Sequence, residues 1–232
     1  MTDRDQTVSR LEGGWLQVKV PLPFSLKWVN AYLLPEEAGW TLVDPGLHTE
    51  DSEAFWIKVL SDLAIEWKDI QSIVLTHHHP DHYGMAGWFQ ERTGAPVFMS
   101  QTALDSARRL WGENETFSNE LTEAFLRHGL VEELEDDMRA HMSGFISKVS
   151  PQPTDFTILD PGEQITMGGA DWKIFGGEGH APGHLISIIR ITAGCYAAIK
   201  CSRISRLTSV GCREVILIRW APSCKAFWRC CR

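Results

Sequence analysis

"SIVLTHHHPDHYG", residues 72–84, sets an apolar run directly against four histidines, an aspartate and a proline. The overlapping run "IQSIVLT" (70–76) is rich in β-branched residues and bounded by polar ones, which predicts a buried strand. The histidines then stand in a loop at the strand's C-terminal end, where open α/β sheets carry their sites. In that loop the order is His77-x-His79-x-Asp81-His82. His77 and His79 are two apart, so on a locally extended chain they point to one side. Pro80 begins a turn that delivers Asp81 and His82. Two imidazoles can take one metal ion, and a carboxylate with a third imidazole can take a neighbouring one. Nitrogen and oxygen ligands of this type suit Zn2+, with Fe2+ or Mn2+ as alternatives. A histidine-rich surface turn is the plainer reading, but it explains neither this spacing nor the position after a buried strand.

Outward from this stretch, the chain reads as a layered α/β fold with mixed sheets. "WLQVKVPLPF" (15–24) alternates like a strand, and "VNAYLLPEEAGWTLVDPG" (29–46) reads as a hairpin around "PEEAG". Residues 48–65 have helical spacing, with Phe55, Val59, Leu60 and Leu63 on one face and Thr49 or Asp51 as cap. "YGMAGWFQERTG" predicts a helix ending at Gly94, and "PVFMS" a short strand. Residues 101–149 are rich in Glu, Leu and Ala and predict a helical insertion or lid. Residues 155–176 return to strands, with turns at Pro161-Gly162 and Gly168-Gly169, and "HLISIIRI" is a further strand.

The stretch "THHHPDH" resembles the HxHxDH signature of the metallo-β-lactamase fold hydrolases. "TLVDPG" (41–46) is similar to that family's strand ending in Asp-x-Gly, and "GHAPGH" (179–184) to its third motif. The resemblance spans about residues 15–190 and implies an αββα sandwich with the site at one sheet edge. It implies His77, His79 and His180 as ligands of a first metal, and Asp81 and His82 as ligands of a second. His78 is then a spacer pointing away. The implied chemistry is metal-activated water attacking an ester, thioester, amide or phosphoester, with Asp81 orienting the water and accepting its proton. Asp44 is either a carboxylate supporting a ligand histidine or an ordinary turn residue. His184 either lines the site or is a satisfied residue at a strand start. His48, His128 and His141 read as surface residues. Trp111, Phe117, Phe125 and Phe145 either line a substrate channel or belong to the core.

The family pattern also calls for a bridging Asp after the third motif and a last His near the C-terminus. This chain has no Asp after Asp171 and no His after His184. Its composition breaks in the same region: residues 1–190 carry a net charge of −15, residues 191–232 a net of +7. All six cysteines (195, 201, 212, 224, 230, 231) fall in the basic segment. Read one frame over from the third base of codon 194, the genetic code permits an apolar stretch followed by Gly-Asp-Gln. The expectation is a metallo-β-lactamase-like domain over 1–193, its C-terminal part incomplete, and a frameshifted Cys/Arg-rich tail over 194–232. A genuine Cys-rich module is the rival, but its spacings fit no zinc-ribbon pattern.

The chain is 232 residues long, enough for one good-sized core. The overall charge of −8 argues against a general nucleic-acid or membrane-surface partner and leaves a small-molecule substrate. The polar start and the lack of a long apolar run give a cytoplasmic expectation with no membrane span. Three functions are in play: a hydrolase on one or two Zn2+ ions, an impaired product holding at most one metal, and a mononuclear-iron oxygenase on the same scaffold.

Overall fold

A computed structural model describes residues 7–112, 116–177, 179–192, 195–199 and 216–219. They form an αβ/βα sandwich. The first sheet holds seven strands in spatial order: β1 (Val8–Arg10), β2 (Leu16–Pro21), β3 (Trp28–Glu36), β4 (Gly39–Val43), β5 (Ile70–Val74), β6 (Val97–Met99) and β7 (Phe156–Ile158). Strands β1 to β4 pair antiparallel, and β4 to β7 pair parallel. The second sheet is antiparallel: β8 (Gln164–Met167), β9 (Ala170–Gly176), β10 (Leu185–Thr192), β11 (Cys195–Ile199) and β12 (Ile216–Arg219). The described helices, α1 (Glu50–Asp62), α2 (Pro80–Tyr83), α3 (Ala86–Thr93), α4 (Gln101–Trp111), α5 (Thr116–Arg127) and α6 (Glu135–Ser143), all lie in sequence between β4 and β7.

Local signals account for most boundaries. The Thr49 side chain accepts from Ser52 N at 3.1 Å, so Thr49 and not Asp51 caps α1. Gly94, at φ 68°, ends α3 in the left-handed conformation that a side chain resists. The β8–β9 hairpin turns through Gly168 and Gly169, both at positive φ (64° and 69°), as a two-residue turn between twisted strands requires. In the β3–β4 hairpin the pairing runs out to Glu36 and Gly39, which tightens the expected turn to Glu37-Ala38.

Two features differ from the sequence reading. Strand β1 was not anticipated, because three residues carry no periodicity; their partners are six to ten residues away on β2. The 155–176 strands divide between layers: β7 extends the first sheet beside β6, and β8 and β9 open the second. Within 101–149 lie α4, α5 and α6, and α4 packs into the body of the fold. Its Ala103, Leu104, Ala107 and Trp111 are buried in the main core.

The first sheet is buried on both faces, which explains why its inner strands read as near-continuous apolar runs. Along β3, Ala31 and Leu33 pack in the core shared with helices α1 and α3. The alternate residues Tyr32 and Leu34 face Met167 and Trp172 of the second sheet. Trp56, missed by the helical-face reading, is the large buried residue of α1, and Phe55 and Leu63 sit at the margin.

The composition break falls at the β10–β11 connection. Cys195 lies in β11, whereas Cys201, Cys212, Cys224, Cys230 and Cys231 lie outside the described residues.

Trp172 fills the space between the sheets, 5.2 Å from Trp15, and its Nε1 donates to Met167 O at 2.7 Å. Replacing it with Ala should lower the unfolding free energy by about 3–5 kcal/mol, measured by urea denaturation. A loss below ~1 kcal/mol would show that the sheet interface does not carry the fold.

Candidate metal centre

The centre is built where β4 and β5 end side by side. Past the strands, Asp44 N still donates to Val74 O at 3.1 Å. Asp44 then turns through a positive φ of 50°, which Asp tolerates better than most residues, and is buried. Gly46 follows at φ 108°, where a Cβ would lie 2.6 Å from Val20 Cγ1. On the other strand, Pro80 occupies the first helical position of α2, where its missing N–H costs nothing. His79 O accepts from the backbone N–H groups of His82 and Tyr83, both at 2.9 Å. The short helix thus folds Asp81 and His82 back toward His77.

The third element comes from the second sheet. The β9–β10 turn carries His180, and Leu185 N donates across the sandwich to Thr76 O at 2.8 Å. The turn is closed by Gly177 N donating to His184 O at 2.7 Å. It is anchored to α4 by Ser100 Oγ donating to Gly183 O at 2.6 Å. Gly183, at φ 68°, has no space for a Cβ, which would lie 2.5 Å from Ala103 N.

The result brings His77, His79 and His180 together, with one nitrogen from each within 4.8 Å of the others. His77 Nε2 and His180 Nε2 stand 3.1 Å apart. Two nitrogens on one tetrahedral zinc at ~2.0–2.1 Å are about 3.3 Å apart, so the donor set fits such an ion. His77 is buried, His79 half-buried and His180 exposed, which leaves the cluster open to solvent on one side. Among the described residues this is the one such cluster of three ligating side chains.

Asp81 and His82 lie against this group. The His77 and His82 rings are 4.4 Å apart, and His82 Nε2 is 3.4 Å from Asp81 Oδ2. Asp44 lies behind them: its Oδ2 is 3.0 Å from His82 Nδ1, and its two oxygens accept from Thr76 N and Thr76 Oγ1 at 2.8 and 2.7 Å. His184 is buried beside the cluster, its ring 5.1 Å from that of His77, with Nδ1 donating to Gly177 O at 3.0 Å. His184 Nε2 and His78 Nδ1 are buried and have no hydrogen-bond partner among the described residues. His78 stays outside the three-histidine group, and its carbonyl accepts from Trp111 Nε1 at 2.9 Å.

His128 and His141 are exposed, as expected, but His48 is half-buried and bonded to Glu53 Oε1 at 2.7 Å. Of the four aromatics, Trp111 and Phe145 belong to the core, Phe117 lies under the Arg109 guanidinium, and Phe125 is exposed. Thr76 is the site residue that sequence reasoning passed over. A β-branched residue at a strand end looks like any other, and only its contacts set it apart.

Burial and the crowding of imidazoles hold His77 well below the ordinary histidine range. His79 and His180 are lowered for the same two reasons. These rings are therefore uncharged near neutral pH, and each keeps one bare nitrogen of the kind a metal requires. Burial opposes the charge of Asp81, but the neighbouring His82 outweighs it and holds the carboxyl at about 2.

An αβ/βα sandwich with a metal-sized histidine cluster beyond a parallel strand end defines a class of metal-binding proteins. Residues 29–192, more than half the chain, match the family model described as Metallo-beta-lactamase superfamily, and the chain belongs to that superfamily. It is 34% identical over 76 residues to the probable metallo-hydrolase YqjP of Bacillus subtilis (strain 168), a match covering 33% of this chain and 24% of that protein. Among solved structures it is similar to the metallo-beta-lactamase family protein TTHA1429 from Thermus thermophilus. That similarity has 33% identity and a TM-score of 0.63, over 75% of this chain and 55% of that one. A beta-lactamase domain protein from Burkholderia ambifaria shares the fold at 24% identity and a TM-score of 0.63, over 78% of this chain and 52% of that one. The chain thus spans about half the length of these solved relatives and about a quarter of the curated one. No described helix is long and apolar enough to cross a membrane.

Burial drives His78 and His184 down to about 4, against 6.5 for an ordinary histidine. Between those values the unfolded chain binds more protons than the folded one, so stability rises with pH across the window. The metal-free protein should be at full stability above pH 6.5 and lose on the order of 1–2 kcal/mol per histidine by pH 5. Urea unfolding at pH 7 and pH 5 measures this, and equal stabilities would refute it.

Proposed function

We propose that this chain is a metal-dependent hydrolase whose His77, His79 and His180 hold one metal ion, with Asp81 and His82 contributing to a second. The observation that carries the reading is the 3.1 Å approach of His77 Nε2 to His180 Nε2, two side chains on loops that leave different sheets. Three imidazoles suit Zn2+, with Fe2+ or Mn2+ also compatible. A bound ion of this kind makes water acidic enough to react at neutral pH and polarises a carbonyl or phosphoryl oxygen. His77 is fixed deepest, and the exposed His180 edge is where a substrate would enter. The Asp81 carboxylate orients the attacking water and accepts its proton. The bond cleaved is an ester, thioester, amide or phosphoester. A net charge of −15 over residues 1–190 favours a small molecule over nucleic acid as substrate.

A second reading concerns the C-terminal segment. The chain has no Asp after Asp171 and no His after His184, and its charge and cysteine content change abruptly in the same region. We read residues from about 194 onward as the product of a frameshift and 1–193 as the native domain. Asp81 and His82 then lack a bridging carboxylate, the second metal binds weakly, and hydrolysis is impaired. Sequencing the source DNA across codons 185–205 tests this, and an unbroken frame refutes it.

With Zn2+ added, the purified chain should retain close to one tightly held ion. His77→Ala and His180→Ala should each abolish tight binding, measured by competition with a chromophoric chelator. Chelator treatment should remove hydrolysis of an ester, thioester and phosphoester panel, and Zn2+ should restore it. Asp81→Asn should lower kcat by about 10²–10⁴. Unchanged zinc affinity in both histidine variants would overturn the assignment.

A further inference from the structure

We propose that Thr76 is a positioning residue that fixes the ring tautomer of His77, relaying the negative charge of Asp44 so that His77 Nε2 is left as a bare metal donor. The inference rests on His77 being a metal ligand and adds how the chain prepares it.

The argument is a count of protons. The Thr76 hydroxyl has one proton and makes two contacts, 2.7 Å to Asp44 Oδ2 and 2.9 Å to His77 Nδ1. A carboxylate only accepts. If Thr76 gave its proton to His77, its oxygen would face Asp44 Oδ2 lone pair to lone pair at 2.7 Å, buried from water. The proton therefore goes to Asp44, and Thr76 Oγ1 accepts from His77 Nδ1–H. A neutral imidazole carries one N–H, so Nε2 is unprotonated. That nitrogen is the one 3.1 Å from His180 Nε2.

The relay is rigidly held. Thr76 N donates to Asp44 Oδ1 at 2.8 Å, so carboxylate and hydroxyl cannot turn independently. Thr76 O is held by Leu185 N at 2.8 Å. Thr76, Asp44 and His77 are all buried, which leaves little water to compete for any of these bonds. The same Asp44 Oδ2 lies 3.0 Å from His82 Nδ1 and directs that ring in the same sense. One carboxylate thus aims two imidazoles, one directly and one through a hydroxyl.

The test is made on the full metal-free chain with 15N-labelled histidine, by long-range 1H–15N NMR at neutral pH, and then by Zn2+ competition with a chelator. In the wild type, His77 should show a protonated Nδ1 and a bare Nε2. Thr76→Val keeps the shape but removes the hydroxyl; the pattern should be lost and zinc affinity should fall about 10–100-fold. Thr76→Ser should retain both. Asp44→Asn can place an amide N–H against the Thr76 hydroxyl, turn its proton toward His77, and shift that ring to the Nε2–H form. A wild-type His77 protonated at Nε2, or a Thr76→Val variant with wild-type pattern and affinity, overturns the proposal. If Thr76→Val does not fold, the wild-type and Thr76→Ser spectra still decide it. The expected tautomers in a chain that binds no zinc would sink the metal reading and leave the relay standing.

Discussion

The buried carboxylate of Asp44 is the fixed point of this structure. It sits where β4 stops, in a backbone conformation that few side chains accept, and its oxygens are engaged by Thr76 and His82. An unpaired charge at that depth would cost several kcal/mol. The surrounding donors are therefore a condition for the two strand ends to lie as they do. The carboxylate is satisfied only when β5 is in register beside β4 and α2 has turned His82 back. Folding of the sheet and preparation of the imidazoles are in this sense one event.

The second constraint is the closure of the sandwich. His77 and His180 are 103 residues apart and lie on loops that leave different sheets. They meet because Trp15, Tyr32, Leu34, Val43 and Val74 of the first layer bury against Met167 and Trp172 of the second. Polar contacts then set the register of that closure: Leu185 to Thr76 between the sheets, and Ser100 to Gly183 from the start of α4. The apolar interface supplies most of the driving force, and the few hydrogen bonds supply the position.

The helical stretch after β6 takes part in the site as well as in the core. Trp111, the last residue of α4, donates to the carbonyl of His78, the residue between two of the clustered histidines. Gln152 bonds both to Trp111 O and, at 3.3 Å, to the Tyr83 hydroxyl on α2. The histidine loop is therefore held from the insertion side as well as from the sheet side.

The sequence by itself determined the strand before the histidines, the spacing of His77, His79, Asp81 and His82, and the Gly-His-Ala-Pro-Gly-His turn as a partner motif. The first two are local, resting on strand periodicity, the proline constraint and ligand spacing; the third came only from the resemblance of that turn to a family motif. It also carried the helix limit at Gly94, fixed by the chemistry of one residue, and narrowed the start of α1 to Thr49 or Asp51. Tertiary structure decided the rest. Strand β1 is too short to show a periodicity, and the place of β7 beside β6 depends on a pairing partner distant in sequence. Trp111 gained a polar role only through contact with His78 O. Asp44 was legible as a turn residue or a support, and Thr76 as a strand residue. Which of these they are depends on hydrogen bonds between side chains that folding, and not spacing, brings within 3 Å.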